Sequence, residues 1–139
     1  MDPIFQFSLP YPPSVNTYWR TWQGRTMISE AGRAYRKHVA ATMMVGPVYR
    51  CYTCPLALSI LAYPPDRRKR DLDNLLKAPL DALEKCGLFA DDSQIKSIHA
   101  EMSEYDADLP DGRIYLIIGP VRKITLKMQI HTREGDTNE

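Results

Sequence analysis

The sequence has 139 residues with a formal net charge of +1, and 44% of the residues are hydrophobic and 25% charged. These values are ordinary for one soluble globular domain with a real core, and they exclude a chain of generally basic character. No apolar run is long enough to span a bilayer and no basic-then-apolar signal opens the chain, so we expect a cytoplasmic protein that makes no membrane contact.

The charges are unevenly distributed along the chain. Residues 1–50 carry six Lys or Arg against two acids, whereas residues 78–112 carry two Lys against nine acids. A near-neutral total therefore conceals a basic part and an acidic part. This distribution favours a protein with one side that faces a polyanion.

The first third of the chain predicts a strand, a connection and a helix. Residues 4–9 alternate between apolar and polar and form a strand that a proline-rich segment ends. Residues 14–24 form a polar, aromatic-rich connection whose Tyr, Trp and Arg side chains either contact DNA or cover the edge of the core. Ser29 is the expected N-cap of an amphipathic helix over residues 30–45, which Gly46-Pro47 ends.

The middle of the chain predicts a buried strand followed by a helix. Residues Leu56–Tyr63 are apolar on both faces, as in a strand inside a sheet. The helix over residues 72–85 contains Pro79, which removes one backbone hydrogen bond. We therefore predict either a kink or a short turn before a main helix that begins at Pro79. Gly87 caps the carboxyl end of this helix.

The last third predicts further strands separated by an acidic loop. The strands lie over residues 94–102 and 114–118, with the loop over residues 103–112. A further strand over residues 124–130 leads to a polar tail that we expect to be disordered. Together the elements predict an α+β fold, a single compact domain with a mixed β-sheet of about four to five strands packed against two main helices.

A charged stretch follows the central strand. Its first part is a run of four consecutive cations, Arg67, Arg68, Lys69 and Arg70. These side chains repel one another unless solvent or a polyanion surrounds them. Asp71 and Asp73 follow, and two carboxylates one residue apart offer hard oxygen ligands to a divalent cation. Phosphate-binding cations beside metal-binding acids are the components of a metal-dependent nuclease. The alternative is a solvated loop in which the Arg and Asp side chains pair with each other.

A second pair of acids, Asp91 and Asp92, precedes the next strand. Adjacent carboxylates repel each other unless a cation or hydrogen-bond donors neutralise them. They belong either to the same site or to an ordinary turn with Ser93. Lys77 lies four residues after Asp73, so it can reach back toward this site.

The three cysteines predict neither a disulfide framework nor a metal site. Cys51, Cys54 and Cys86 are an odd number in a chain without a secretion signal. The spacing of Cys51 and Cys54 occurs in zinc and redox sites, but no second pair of Cys or His completes a four-ligand set.

The order of these motifs resembles the RusA family of Holliday junction resolvases, endodeoxyribonucleases that phages and prophages often carry. The resemblance runs from Phe5 to Ile118, more than four fifths of the chain. Its landmarks are Pro12-Pro13-Ser14-Val15-Asn16, Gly24-Arg25-Thr26, Ser29-Glu30-Ala31-Gly32, the stretch 66–77, Asp81-Ala82-Leu83 and Asp91-Asp92-Ser93-Gln94. Each motif is weak alone, and their shared order makes the resemblance strong.

The resemblance implies an activity, a cofactor and a set of site residues. It implies a homodimer that binds a four-way DNA junction and nicks two opposed strands symmetrically with Mg²⁺, for which Mn²⁺ can substitute. The metal-binding acids of the family fall on Asp71, Asp73 and Asp92, and its essential lysine falls on Lys77. The DNA-contacting run of the family falls on Arg67, Arg68, Lys69 and Arg70.

The resemblance also divides the chain into an endonuclease domain over residues 1–120 and a C-terminal extension over residues 121–139. The chain departs from the family pattern at Pro79 and in the residues after Pro120. Two alternatives to junction resolution stay open, a related nuclease for other branched or flapped DNA and a non-catalytic junction-binding protein whose acids are structural. The presence of all three acids and the lysine favours catalysis over binding alone.

Overall fold

The computed structural model describes residues 3–45 and 51–122. The strands are β1 (Phe5–Leu9), β2 (Trp19–Trp22), β3 (Arg25–Ile28), β4 (Leu56–Tyr63), β5 (Ile95–Met102) and β6 (Arg113–Pro120). The α-helices are α1 (Val15–Tyr18), α2 (Glu30–Val45) and α3 (Lys77–Lys85), and two short 3-10 turns span Asp73–Leu75 and Asp92–Gln94. The predicted Gly46-Pro47 helix stop, the strand over residues 124–130 and the polar tail lie outside the described residues.

Four strands form one mixed sheet in the order β1-β6-β4-β5. Strands β4 and β5 run parallel, whereas β6 runs antiparallel to both β1 and β4. The predicted interior position of β4 is confirmed, because this strand has a partner on each side. Its side chains Leu56, Leu58, Ile60 and Ala62 are at most 1% exposed, and they form the sheet side of the core.

Helices α2 and α3 complete this core. Tyr35, Val39 and Met43 of α2 and Ala82 and Leu83 of α3 belong to the same buried cluster as the sheet side chains. The spacing is four residues in α2, and in α3 Ala82 and Leu83 lie four residues after the buried pair Ala78 and Pro79, so each helix packs one apolar face inward. The structure therefore confirms the predicted α+β fold, with four strands in the main sheet and two main helices against it.

The start of α2 is set by Ser29, as predicted. Its hydroxyl oxygen accepts a hydrogen bond from the backbone N–H of Gly32 at 3.0 Å, which satisfies one of the first N–H groups of the helix. The same hydroxyl donates toward the carbonyl oxygens of Thr17 at 2.6 Å and Tyr18 at 2.9 Å. Ser29 therefore starts the helix and also holds the end of α1 against it.

The segment 14–24, predicted as a polar, aromatic-rich connection, contains regular secondary structure. It forms α1 and then β2, which pairs with β3 in a two-stranded antiparallel sheet. The turn is Gln23-Gly24, with φ values of 48° and 74°, as a two-residue hairpin turn requires. Strand β2 has only four residues, two polar ones between two tryptophans, and so short a segment shows no period-two pattern from which to predict a strand.

The predicted short turn before the main helix is confirmed, but the predicted start of that helix at Pro79 is wrong. A 3-10 turn over Asp73–Leu75 does precede the main helix, but that helix begins at Lys77. Pro79 thus occupies the first turn, where backbone N–H groups have no partner within the helix. Gly87, with φ of 88°, ends the helix as predicted, because only a left-handed residue lets the N–H of Leu88 reach the carbonyl of Leu83 at 3.1 Å.

No helix in the described part of the chain is both long and apolar enough to cross a bilayer.

Candidate active site

The basic run leaves β4 through Pro64-Pro65 and folds around Asp66. One carboxylate oxygen of Asp66 accepts from the backbone N–H of Arg68 at 2.9 Å, and Nη2 of Arg70 donates to the other oxygen at 2.9 Å. Nη1 of Arg70 also donates to Asp66, which makes the pair bidentate. These hydrogen bonds, from Arg70 first and from the Arg68 backbone second, hold the pKa of Asp66 well below its usual range.

The four cations of the run therefore differ in their surroundings. Arg70 is paired with Asp66, and its guanidinium also lies over the ring of Tyr11, 5.7 Å from the centroid. The guanidinium of Arg67 lies 5.1 Å from the centroid of Tyr105. Arg68 extends outward, with its side chain 84% exposed. The alternative in which Arg and Asp side chains pair within a solvated loop thus holds for Arg70 and loosely for Arg68, whose Nε lies 3.9 Å from Oδ2 of Asp66 while most of its side chain is exposed.

A cleft of about 850 Å³ lies beside the basic run. One wall comes from the proline-rich segment after β1 and the start of α1, including Pro13 and Asn16. The other wall comes from the charged stretch and includes Arg68, Lys69 and Asp71. Two sequence motifs more than 50 residues apart therefore line the same concave surface, which is large enough for a phosphodiester segment.

Asp71 and Asp73 lie at the entry to the 3-10 turn. Nδ2 of Asn74 lies 3.5 Å from Oδ2 of Asp71, at the limit of a hydrogen bond. The backbone N–H of Asn74 also donates to the carbonyl oxygen of Asp71 at 3.2 Å. Leu75, buried in the core, anchors this turn. The carboxylates of both Asp71 and Asp73 belong to exposed residues, so solvent and ligands can reach them.

Lys77 connects the amino end of α3 to the turn before β5. Its Nζ lies 3.9 Å from Oδ2 of Asp92, and the two side chains are 49% and 53% exposed. This separation marks a loose ion pair that contributes little stability on its own. The ion pair instead positions Asp92 beside Lys77, the first residue of the helix that follows Asp71 and Asp73.

The adjacent acids Asp91 and Asp92 have different roles in the structure. Oδ1 of Asp91 accepts from the backbone N–H of Ser93 at 2.7 Å, and this hydrogen bond lowers the pKa of Asp91. Asp91 is therefore the N-cap of the turn over Asp92–Gln94. The turn reading is confirmed for Asp91, and it leaves the carboxylate of Asp92 facing Lys77.

Sequence reasoning gave no role to Gln94, although it appeared in a landmark motif. Its Oε1 accepts from the backbone N–H groups of Ala90 and Asp91 at 2.9 and 3.0 Å. Its Nε2 donates to the carbonyl oxygens of Tyr52 and Cys54 at 2.9 and 3.1 Å. Gln94 thus ties the Asp92 turn to a distant segment. A glutamine three residues after an N-cap is the signal that could have revealed this role.

Sequence reasoning also missed a hydrogen-bonded group centred on Asp81 of α3. Nε of Arg36 donates to Oδ2 of Asp81 at 2.7 Å and to the hydroxyl of Tyr18 at 3.1 Å. The Tyr18 hydroxyl donates to the same carboxylate. Burial raises the pKa of Tyr18, and the hydrogen bond to Asp81 raises it further. This network joins α1, α2 and α3, and Asp81 lies one helical turn after Lys77.

The carboxylates of Asp71, Asp73 and Asp92 are chemically suited to a divalent cation, but they do not form one cluster of ligands in the structure. Within residues 3–45 and 51–122, no three side chains of His, Cys, Asp or Glu lie close enough together to hold a metal ion. Asp71 lines the cleft beside the basic run, whereas Asp73, Lys77 and Asp92 are not among the described residues that line it. Exposed carboxylate oxygens are the donors that hard divalent cations take, so each of these acids suits such an ion in chemistry, although the described residues do not bring three of them together.

Comparison with known proteins gives consistent results. Residues 10–118 match the family described as Endodeoxyribonuclease RusA. The chain is 45% identical over 91 residues to the crossover junction endodeoxyribonuclease of Enterobacteria phage 82, covering 66% of this chain and 76% of that protein. The Escherichia coli K12 protein of the same name is 44% identical over the same length and the same shares. The phage HK97 protein is 37% identical over 120 residues, covering 86% of this chain and 98% of its own length.

Proposed function

The chain belongs to the RusA family of endodeoxyribonucleases, and from that membership we propose that it resolves four-way DNA junctions by paired, symmetric, metal-dependent nicks. The named relatives are crossover junction endodeoxyribonucleases. The observation that carries the proposal is the cleft in which Arg68 and Lys69 lie beside Asp71. Cations that bind phosphates and a carboxylate that can bind a metal share one surface there.

The proposed metal ligands are Asp71, Asp73 and Asp92, with Mg²⁺ as the ion and Mn²⁺ as a substitute. Divalent ions are the general cofactors of nucleases, and Mg²⁺ prefers a few carboxylates together with water. When bound, the ion supplies Lewis-acid activation of a water nucleophile and neutralises charge that develops on the phosphate. The exposure of all three carboxylates in this structure supports their assignment as ligands.

The residues of the chain itself have separate tasks in the proposal. Lys77 stabilises the additional negative charge on the phosphate during attack, since its ammonium lies beside the Asp92 carboxylate. Asn74 orients Asp71 through its side-chain amide. The basic run of Arg67, Arg68, Lys69 and Arg70 binds phosphates and sets the position of the strand in the cleft. The products are a 5′-phosphate and a 3′-hydroxyl, which a ligase can seal.

We further propose that the enzyme acts as a homodimer in the cytoplasm. A four-way junction has approximate two-fold symmetry, and a symmetric dimer delivers two matched active sites to opposed strands. Each subunit then supplies one cleft and one set of acids. Residues 1–120 form the endonuclease domain in this proposal, and residues 121–139 form an extension of it.

The proposal is tested by cleavage of a labelled four-way junction in Mg²⁺, with the unmodified protein beside Asp73→Asn. We expect paired symmetric nicks from the unmodified protein, no nicks from the variant, and junction binding by both. Junction binding without nicks from either protein, in Mg²⁺ and in Mn²⁺, would instead support a non-catalytic binding protein. A flapped duplex and a three-way junction of matched sequence serve as competing substrates, and faster cleavage of either one would assign the enzyme to another branched DNA.

A further inference from the structure

The β2–β3 hairpin presents two chemically different faces. Register pairs Trp19 with Ile28, Arg20 with Met27, Thr21 with Thr26 and Trp22 with Arg25. Side chains of directly paired residues lie on the same face of an antiparallel ribbon, and alternate residues of a strand share a face. One face therefore carries Trp19, Thr21, Thr26 and Ile28, and the other carries Arg20, Trp22, Arg25 and Met27.

The first of these faces anchors the hairpin to the domain. Trp19 and Ile28 pack against the core cluster. The ring of Trp19 makes an edge contact with Tyr18, with centroids 5.1 Å apart, and the guanidinium of Arg36 lies 5.8 Å from its centroid. The backbone N–H of Ser29, just after the hairpin, donates to the carbonyl of Tyr18 at 2.9 Å. The base of the hairpin is thus packed against the domain, whereas the residues nearer its turn are exposed.

The second face is exposed and unusual in composition. Trp22 is 58% exposed and Met27 is 43% exposed, and both rank among the exposed large hydrophobic side chains of the described residues. Arg20 and Arg25 are also exposed, and no acid occurs anywhere in β2, the turn or β3. A tryptophan between two arginines combines a flat surface for stacking with two cations for phosphates.

We propose that this face of the hairpin contacts the branch point of the DNA, with Trp22 stacked on a base exposed where strands part. The inference rests on the proposed function, because only branched or opened DNA presents such a base. Arg20 and Arg25 contact the flanking phosphates. Stacking on an aromatic ring suits an unpaired base of any sequence, since every base has a π face, whereas intact duplex offers no base face to Trp22.

The position of the hairpin supports its contact with the branch point of the DNA. Thr17 lines the cleft that contains Asp71 and the basic run, and β2 begins two residues later at Trp19. With about 3.3 Å per strand residue, Trp22 lies within roughly 15 Å of that cleft rim along the chain. The hairpin therefore begins at the rim of the cleft, and DNA held in the cleft by phosphate contacts lies within reach of its basic face.

The test compares Trp22→Ala, Trp22→Phe and the unmodified full chain in binding to a synthetic four-way junction and to a linear duplex of the same sequence, without divalent metal. A 2-aminopurine placed at the branch point reports base stacking. Thr26→Ala, on the opposite face of the hairpin, is the matched control. We expect Trp22→Ala to weaken junction binding about tenfold, to change duplex binding less than about twofold, and to abolish the fluorescence quenching. Trp22→Phe should recover most of the lost affinity, and Thr26→Ala should match the unmodified chain.

Three results would overturn the inference. Unchanged junction affinity and quenching in Trp22→Ala would show that the face makes no base contact. Equal losses on junction and duplex would show a general backbone contact. A change of molecular mass in gel filtration on Trp22→Ala would show that the face binds protein. If the unmodified chain bound no branched DNA, the proposed function itself would fail. If the unmodified chain bound the junction and Trp22→Ala bound it equally well, only the present inference would fail.

Discussion

Nε of Arg36 lies 2.7 Å from Oδ2 of Asp81, and this ion pair joins α2 to α3. The Arg36 and Asp81 side chains are 26% and 10% exposed, so water screens the pair less than it screens a surface ion pair. Because Lys77 begins the helix that contains Asp81, the pair also fixes the helix from which Lys77 extends.

Removal of either partner of this pair should destabilise the fold. Asp81→Ala leaves the Arg36 guanidinium and the Tyr18 hydroxyl without their acceptor, and we expect a loss of about 3 kcal/mol. Urea unfolding of Asp81→Ala, Arg36→Ala and the double variant, at one protein concentration, measures the coupling. The double variant should lose less than the sum of the single variants. Additive losses would show that the two side chains contribute independently.

The hydrogen bonds of Asp66 with Arg70 and with the backbone of Arg68 should make a pH-dependent contribution to stability. Because the pKa of Asp66 is lowered in the folded state, its contribution is complete above the unfolded pKa of about 4 and is lost as pH falls toward the folded value. Asp66→Asn should therefore have a lower urea midpoint than the unmodified protein at pH 7, and the difference should shrink as pH falls below about 4. A difference that grows with acidity would contradict the assigned role of Asp66.

The cations of the basic run should differ in their effect on DNA affinity and on stability. Lys69→Ala should lower affinity for every DNA and reduce the slope of log affinity against log salt by about 1, because one phosphate contact is lost. Arg70→Ala should also lower the urea midpoint, since Asp66 loses its bidentate partner. Lys85→Ala, at the far end of α3, is the control. An equal change in slope for Lys85→Ala would indicate diffuse charge rather than contacts in the cleft.

The adjacent residues Asp91 and Asp92 offer a matched pair of variants. Asp92→Ala should reduce junction cleavage by about a hundredfold or more with little change in stability, because its exposed carboxylate belongs to the proposed metal site. Asp91→Ala should retain cleavage and lower the midpoint of thermal unfolding, because it removes an N-cap. Single-turnover cleavage and thermal unfolding of both variants make the comparison. Loss of cleavage in Asp91→Ala alone would reverse the assignment.

A side chain at Gly112 should be strongly destabilising. Comparison with Gly24 separates the effect of steric crowding from that of backbone strain. Its φ is 69°, and an added Cβ would lie 2.6 Å from the carbonyl oxygen of Tyr63 and 2.8 Å from the backbone nitrogen of Pro65. Gly112→Ala should therefore cost about 3 kcal/mol, from backbone strain and overpacking together. Gly24 has a similar φ of 74° and open space around it, so Gly24→Ala should cost only about 1 kcal/mol. Equal losses of unfolding free energy for Gly112→Ala and Gly24→Ala, measured in urea, would contradict a steric contribution at Gly112.

The sequence determined the long elements, because their signals are local. The apolar run of β4, the Ser29 cap with the helical spacing of α2, and Gly87 after α3 each depend on residues within one or two turns of each other. The charged stretch was equally visible, since four cations followed by two acids need no structure to be recognised. The ordered set of motifs identified the family by the same local information.

The structure decided between the alternatives that the sequence left open for these charged residues. Asp66 pairs with Arg70 and Asp91 caps a turn, both through local contacts, whereas the contact of Asp92 with Lys77 depends on how the turn before β5 packs beside α3. The β2–β3 hairpin and the network of Arg36 with Asp81 also escaped prediction. The former has too few residues for a clear period, and the latter joins residues 45 positions apart. Such partnerships depend on how helices and strands pack, and no local pattern encodes that packing.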